Sequence, residues 1–211
     1  MSDFFQEIYD MILDMDDENI CDKVQEALDA GLSPQDILEK GMVSAMDEIG
    51  RLYEEGDFFI PEMLVCAETM KKGMEILRPQ LSKAGVEPAG KIVAGTVKGD
   101  LHDIGKSLLC MMLEGAAFEI IDLGADVDEA KFIEAVKEFK PDFLAMSAML
   151  TTTRENMKTV IDLLDEAGLR DQVKVLVGGA PVNQDFADKI GADGYASDAN
   201  RAVAMIKKMA E

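Results

Sequence analysis

The apolar positions of the first eighty or so residues recur at helical spacing. Phe4, Ile8, Met11, Ile12 and Met15 form one stripe, and Ile20, Val24, Ala27 and Leu28 form a second. Gly31 closes that second helix. Ser33-Pro34 then supplies an N-cap residue with proline at the first helical position, opening a third helix through Ile37, Leu38, Met42, Ala45, Met46, Ile49, Leu52 and Tyr53. Glu54-Glu55-Gly56-Asp57 reads as a turn. A fourth helix begins near Ile60-Pro61-Glu62 and carries Met63, Leu64, Ala67, Met70, Met74 and Leu77 as far as Pro79. Short connections between successive helices predict an antiparallel four-helix bundle over residues 1–81.

The pattern changes after a stretch without periodicity, residues 82–90, which gathers Gly85, Pro88 and Gly90 and reads as a linker. Beyond it, over residues 91–211, short apolar runs alternate with amphipathic segments. Strands are expected at 92–97, 118–123, 142–147, 173–177 and 194–196, and helices at 106–115, 128–139, 154–167, 184–190 and 199–209. Strict alternation of this kind implies a parallel sheet with helices on both faces, joined by right-handed crossovers. The expected fold is therefore α/β: a helical bundle followed by a flavodoxin-like, Rossmann-like five-stranded sheet of order 2-1-3-4-5, with its switch point between the first and third strands.

Composition narrows the function classes. The formal net charge of -21 makes a surface that repels phosphate backbones and anionic lipid, so neither a nucleic acid nor a membrane surface is an expected partner. Cys21, Cys66 and Cys110 are odd in number and widely spaced, suggesting neither a disulfide framework nor a thiolate metal site. The N-terminus lacks a basic start and apolar core, and no apolar run is long enough to span a bilayer, so a reducing, cytoplasmic location is expected. Met11, Met15, Met42, Met46, Met63, Met70 and Met74 lie at or near the apolar faces of the bundle. Such a stripe is ordinarily core, although adaptable thioethers would also suit a surface that covers a bulky flat ligand and moves away.

The candidate chemistry gathers after the first strand, in Gly99-Asp100-Leu101-His102-Asp103-Ile104-Gly105-Lys106-Ser107, which holds the only histidine. An imidazole is the commonest metal ligand, and a carboxylate two positions away can fix its tautomer through the other ring nitrogen. Taken alone, a histidine beside an aspartate is more often a hydrogen-bonded turn residue with no metal, so this stretch by itself settles little. Two further stretches fall at the same end of the expected sheet: Ser147-Ala148-Met149-Leu150-Thr151-Thr152-Thr153 after the third strand and Gly178-Gly179-Ala180-Pro181 after the fourth. Hydroxyls and paired glycines there would make an elongated polar slot. Gly105-Lys106-Ser107 approaches the end of a phosphate-binding loop, but the first glycine of that loop would stand at Asp100, where a carboxylate repels phosphate.

Asp100-x-His102-x-x-Gly105, Ser147-x-Met149 and Gly178-Gly179, in this order and separation, resemble the cobalamin-binding signature Asp-x-His-x-x-Gly, Ser-x-Leu, Gly-Gly. The preceding bundle is similar to the helical cap that accompanies this module in cobalamin-dependent methionine synthase and in the small corrinoid proteins of methyl-transfer systems. The resemblance covers essentially the whole chain. One departure is Met149 in place of leucine, an apolar side chain of similar volume.

The resemblance implies a cobalamin or related corrinoid cofactor, methylcobalamin in the loaded state. His102 would be its metal ligand, replacing the cofactor's own base below the cobalt, with Asp100 on the other ring nitrogen and a hydroxyl from the 147–153 stretch extending that relay. Leu101, Asp103, Ile104 and Gly105 would complete the loop under the ring. Ser147, Met149, Leu150, Thr151 and Thr153 would line the slot for the displaced nucleotide tail, Gly178 and Gly179 its deeper part, and Tyr195, Ala196, Ser197 and Asp198 its far wall. The bundle would shield the methyl-bearing face. Such a chain is a carrier, not a complete catalyst: it accepts a methyl group from a substrate-specific methyltransferase, delivers it to an acceptor methyltransferase serving coenzyme M or tetrahydrofolate, and is serviced by a reductive activator protein. The competing expectations are a cobalamin-binding sensor and a small mutase subunit.

Overall fold

The computed structural model describes residues 3–210. Its chain forms two compact units, one of residues 1–88 with 114–117 and the other of residues 89–113 with 118–211. The first is helical: α1 (Asp3–Leu13), α2 (Ile20–Asp29), α3 (Pro34–Asp36), α4 (Ser44–Glu55) and α5 (Ile60–Lys83). A π-helical segment, Ile37–Val43, joins α3 to α4 without a break, so these three pieces are the single third helix the periodicity implies. The widened turn is not legible in the spacing of apolar residues. Its interior is held by packing: Gly41 leaves room for Ile8, and Gly73 of α5 leaves room for Met42 and Ile20.

Met42, Met46, Met63, Met70 and Met74 are buried with Ile8, Ile12, Ile20, Ile37, Ile49 and Leu77, so most of the methionine stripe is bundle core. Two boundaries differ from expectation. The first helix stops at Leu13, and Met15 beyond it takes a positive φ of 60°. The fourth continues through Pro79 to Lys83. Proline removes one bond of the helical ladder, but the buried Leu77 and Leu81 on either side of it anchor the last turns.

The second unit is a parallel sheet of order β2-β1-β3-β4-β5, as the alternation implies. Its elements are β1 (Lys91–Thr96), α6 (Ile104–Gly115), β2 (Glu119–Asp122), α7 (Glu129–Phe139), β3 (Phe143–Ser147), α8 (Glu155–Glu166), β4 (Lys174–Gly178), α9 (Gln184–Ile190), β5 (Gly194–Ala196) and α10 (Ala199–Ala210), with a 3-10 turn at Arg170–Gln172. On one face, Val93 and Val97 pack with Leu144, Met146, Val175 and Val177 against Phe132, Val160, Leu164 and Phe186 of α7, α8 and α9. Gly95 lies under the Phe132 ring, where a Cβ would stand 2.6 Å from a ring carbon.

Register aligns the carboxyl ends of four strands in one row: Thr96 pairs with Ser147, Ser147 with Gly178, and Gly178 with Ala196. Because side chains alternate across a strand, these four small residues share a face at the edge where ligands of open α/β sheets bind.

Candidate functional site

The loop after β1 is folded back on itself by short-range hydrogen bonds. Gly99 takes a φ of 79° that a side chain resists, and its N–H donates to Asp126 Oδ1 at 2.7 Å. Asp126, in the loop after β2, donates its own N–H to the Asp100 carbonyl at 2.9 Å. The Asp100 side chain is thereby turned inward and is fully buried.

An isolated buried carboxylate is costly, and this one is surrounded by donors. Oδ1 accepts from the His102 N–H at 3.1 Å and from His102 Nδ1 at 2.7 Å. Oδ2 accepts from the N–H groups of Met149 (2.7 Å) and Leu150 (3.2 Å) and from the Thr153 hydroxyl (2.7 Å). Burial raises the Asp100 pKa, but the bonds from Thr153, Met149 and His102 outweigh it and hold the carboxyl well below the usual carboxylate range. An ionised Asp100 can only accept, so the proton of the His102 ring resides on Nδ1. Nε2 keeps its lone pair on a ring whose side chain is 56% exposed. Among the described residues no group of three or more His, Cys, Asp or Glu is placed to hold a metal ion.

The surroundings fit a flat, largely apolar group. Leu101 and Ile104 are each 76% exposed, and Met149 and Leu150 also turn apolar side chains to solvent. Gly105 has an ordinary φ, and a Cβ built on it meets nothing within 4 Å, so no internal contact requires glycine there. What its missing side chain provides is open backbone surface beside His102. Helix α6 begins at Ile104, two residues before the expected start, which places Ile104 and Gly105 in its first turn; Asp103 caps that turn through a bond from Ser107 N–H to its carbonyl at 2.8 Å. Lys106 is buried and spends its ammonium on both oxygens of Asp122, at 2.6 and 2.5 Å. It is not available to a phosphate, which disposes of the nucleotide-loop reading.

The residues expected to line a slot divide. Ser147 is half-buried in the row of small residues, Thr151 is exposed in the loop above, and Thr153 is buried against Asp100, which makes it the hydroxyl of the relay. Gly178 and Gly179 have separate reasons. A Cβ on Gly178 would meet the Ala196 carbonyl oxygen at 3.2 Å, and one on Gly179, whose φ is 114°, would stand 1.9 Å from the Ala148 carbonyl oxygen. The strand ends thus approach closely only because both are glycine. Ala196 shares the row, whereas Tyr195 alternates to the other face and packs against the α7–α9 core. Ser197 is exposed and hydrogen-bonded to Asp198 at 2.9 Å.

Two residues of this region carry no motif. Thr96 ends β1 with its hydroxyl against the His102 carbonyl, and Arg154 donates Nη1 to the Pro181 carbonyl at 2.5 Å while its guanidinium lies 4.6 Å from the centre of the Phe186 ring. The signal for Thr96 was a lone polar residue inside an apolar strand. Arg154 gave none, since its partner lies 27 residues away.

Comparison with known proteins agrees with this geometry. Two B12 binding domain families match the chain, one over residues 90–204 and the other over residues 5–78. Trimethylamine corrinoid protein 1 of Methanosarcina acetivorans is 45% identical over 200 residues, covering 94% of this chain and 93% of that protein. Dimethylamine corrinoid protein 3 of the same organism is 43% identical over 203 residues, covering 96% and 95%. Among solved structures, the methanol:cobalamin methyltransferase complex MtaBC from Methanosarcina barkeri aligns with a TM-score of 0.89 at 30% identity, over 100% of this chain and 80% of that one. A cobalamin-binding protein from Desulfitobacterium hafniense aligns at 0.79 and 31% identity, over 97% of both chains. A lone outward imidazole on a buried carboxylate, at the edge of a parallel sheet and within these matches, makes the chain a member of the B12-binding family of corrinoid proteins.

Proposed function

We propose that this protein is a methyl carrier: a corrinoid protein that receives a methyl group from a substrate-specific methyltransferase and yields it to a second one. The observation that carries this reading is the Asp100-His102 pair, with Nδ1 committed to a buried anion and Nε2 left outward. When bound, the corrinoid supplies a cobalt centre able to take and give a methyl group. The chain's own residues do the rest. His102 would offer Nε2 to the metal, and Asp100 fixes the orientation of the ring through Nδ1. Thr153 and the N–H groups of Met149 and Leu150 keep Asp100 ionised. Leu101, Ile104, Met149 and Leu150 present apolar surface to the macrocycle. The row Thr96, Ser147, Gly178 and Ala196 floors a slot for the nucleotide tail, with Gly179 keeping its end narrow.

Relatives named for trimethylamine and dimethylamine support a methylamine-type donor methyltransferase as the first partner. The MtaBC likeness supports docking on a methyltransferase subunit. An acceptor methyltransferase and a reductive activator complete the set, and the place of action is the cytoplasm. No helix among the described residues is long and apolar enough to cross a membrane.

The test is reconstitution with hydroxocobalamin followed by absorption spectroscopy. Wild-type protein is expected to give the spectrum of an imidazole-ligated corrinoid with its own base displaced, and His102→Ala to lose that signature while keeping the apo-protein's thermal stability. Identical spectra for the two proteins would remove His102 from the metal and with it this assignment.

A further inference from the structure

Thr96 is fully buried, and its backbone is already spent within the sheet edge: its N–H donates to Gly124 O at 2.9 Å and its carbonyl accepts from Val127 N–H at 3.0 Å. Its hydroxyl stands 3.2 Å from the His102 carbonyl oxygen and 2.8 Å from the Ser147 hydroxyl. The count of protons sets the direction of this chain. A carbonyl only accepts, so the Thr96 O–H points to His102 O. With its single proton committed, Thr96 Oγ1 accepts from the Ser147 O–H. Ser147, half-buried on the floor of the slot, therefore faces it with lone pairs alone.

We propose that Thr96 is a positioning residue that couples the tail slot to the metal ligand: its hydroxyl holds the main chain of His102 and is itself held by Ser147. The inference rests on the corrinoid reading above and deepens it. A hydrogen-bond acceptor in the slot, such as a ring nitrogen of a nucleotide base, has to draw the Ser147 proton away from Thr96. Hydroxyls in series polarise one another, so withdrawing that donor weakens the bond from Thr96 to His102 O. An empty slot, or one filled by a donor, leaves the chain of bonds intact. The identity of the tail would thus be felt at the loop that presents Nε2 through the hydroxyls of Ser147 and Thr96.

The experiment compares two methylated probes, methylcobalamin and methylcobinamide, the latter lacking the nucleotide tail. Each is loaded into wild type, Thr96→Val, Thr96→Ser, Ser147→Ala and His102→Ala. Absorption spectra recorded over a temperature range in which both forms are populated give the ratio of imidazole-ligated to unligated corrinoid. Wild type is expected to give different ratios for the two probes. Thr96→Val should lower the ratio about five-fold with either probe, the size of one ordinary hydrogen bond, and abolish the difference between them; Thr96→Ser should restore both. Ser147→Ala removes the donor with either probe, so it should abolish the difference by lowering the cobinamide ratio to about the wild-type cobalamin value, and it decides the matter if Thr96→Val does not fold. Equal ratios for the two probes in wild type, wild-type behaviour of Thr96→Val, a Thr96→Ser as impaired as Thr96→Val, or a Ser147→Ala that keeps the difference overturns the coupling. If His102→Ala loses the ligated signature while any of these results is found, the coupling alone falls. If His102→Ala matches wild type, the corrinoid reading falls instead.

Discussion

At the scale of single residues the site is an exercise in satisfying one buried anion. Asp100 receives five hydrogen bonds, three of them from the loop after β3, so its carboxylate is both the orienting partner of His102 and the bolt between two loops. Thr153 supplies the donor whose removal least disturbs the backbone. Thr153→Val keeps the shape and deletes the hydroxyl, leaving a buried charge with one partner fewer, a loss of about 1–3 kcal/mol. The sign of its pH dependence follows from linkage. A carboxyl whose folded pKa is depressed contributes stability that is present above the unfolded value, about 3.9, and is lost as pH falls through the lower folded value. The difference between wild type and Thr153→Val in urea unfolding of the apo-protein should therefore be full at neutral pH and shrink as the pH is taken through and below the ordinary carboxylate range. A difference that persists unchanged into acid would mean that Thr153 acts by packing and not through Asp100.

At the scale of elements, the working parts are loops tied across the end of a rigid sheet. Asp126 holds the loop after β1, Asn156 Nδ2 donates to the Lys98 carbonyl at 2.8 Å, and Arg154 spans from the start of α8 to Pro181 in the loop after β4. Arg154 is a strap between the loop after β3 and the loop after β4. Its planar guanidinium donates and stacks at once, which a lysine ammonium cannot do in the same geometry. Arg154→Lys is expected to cost about 1–2 kcal/mol, from the cation–π contact and part of a charged hydrogen bond, and to shorten retention of bound cobalamin in dialysis. Lowered stability with unchanged retention would confine Arg154 to the scaffold. Much of this architecture was legible in the sequence because short apolar runs alternating with amphipathic helical segments, five times over, admit few topologies. His102, Asp100, the hydroxyl run and the glycine pair were legible because each is an unusual residue at a strand end. Thr96 gave only a weak signal, a polar residue in an apolar strand, because threonine suits a strand on propensity alone. Arg154, the Lys106–Asp122 pair and the choice of Thr153 among three threonines depend on partners 16 to 53 residues away, which no local pattern encodes. The π-helical segment is likewise a product of packing around Gly41 and Gly73, since its residues keep an ordinary helical stripe.

At the scale of the whole molecule, charge dominates. Forty-two acidic residues stand against twenty-one basic ones, and the sequence pI is about 4.3. The ion pairs that offset this are mostly exposed: Arg51 with Glu48 and Glu55, Lys40 with Asp36, and Lys158 with Asp162 lie along helix surfaces. Pairs of this kind contribute about 0–1 kcal/mol each and are screened by salt. Unpaired carboxylates repel one another over distances comparable with the Debye length, about 30 Å at 0.01 M and 10 Å at 0.1 M salt, and that repulsion opposes the compact state. Two opposite effects of salt therefore compete, and the charge imbalance decides between them: screening the excess of like charge outweighs the loss of the surface pairs. The melting temperature of the apo-protein at neutral pH should rise by a few degrees between about 0.01 M and 0.2 M sodium chloride, with half or more of the rise complete by about 0.1 M, where the Debye length has already contracted to the spacing of neighbouring charges. A melting temperature that falls over this range would show that the ion pairs carry more of the stability than their exposure allows.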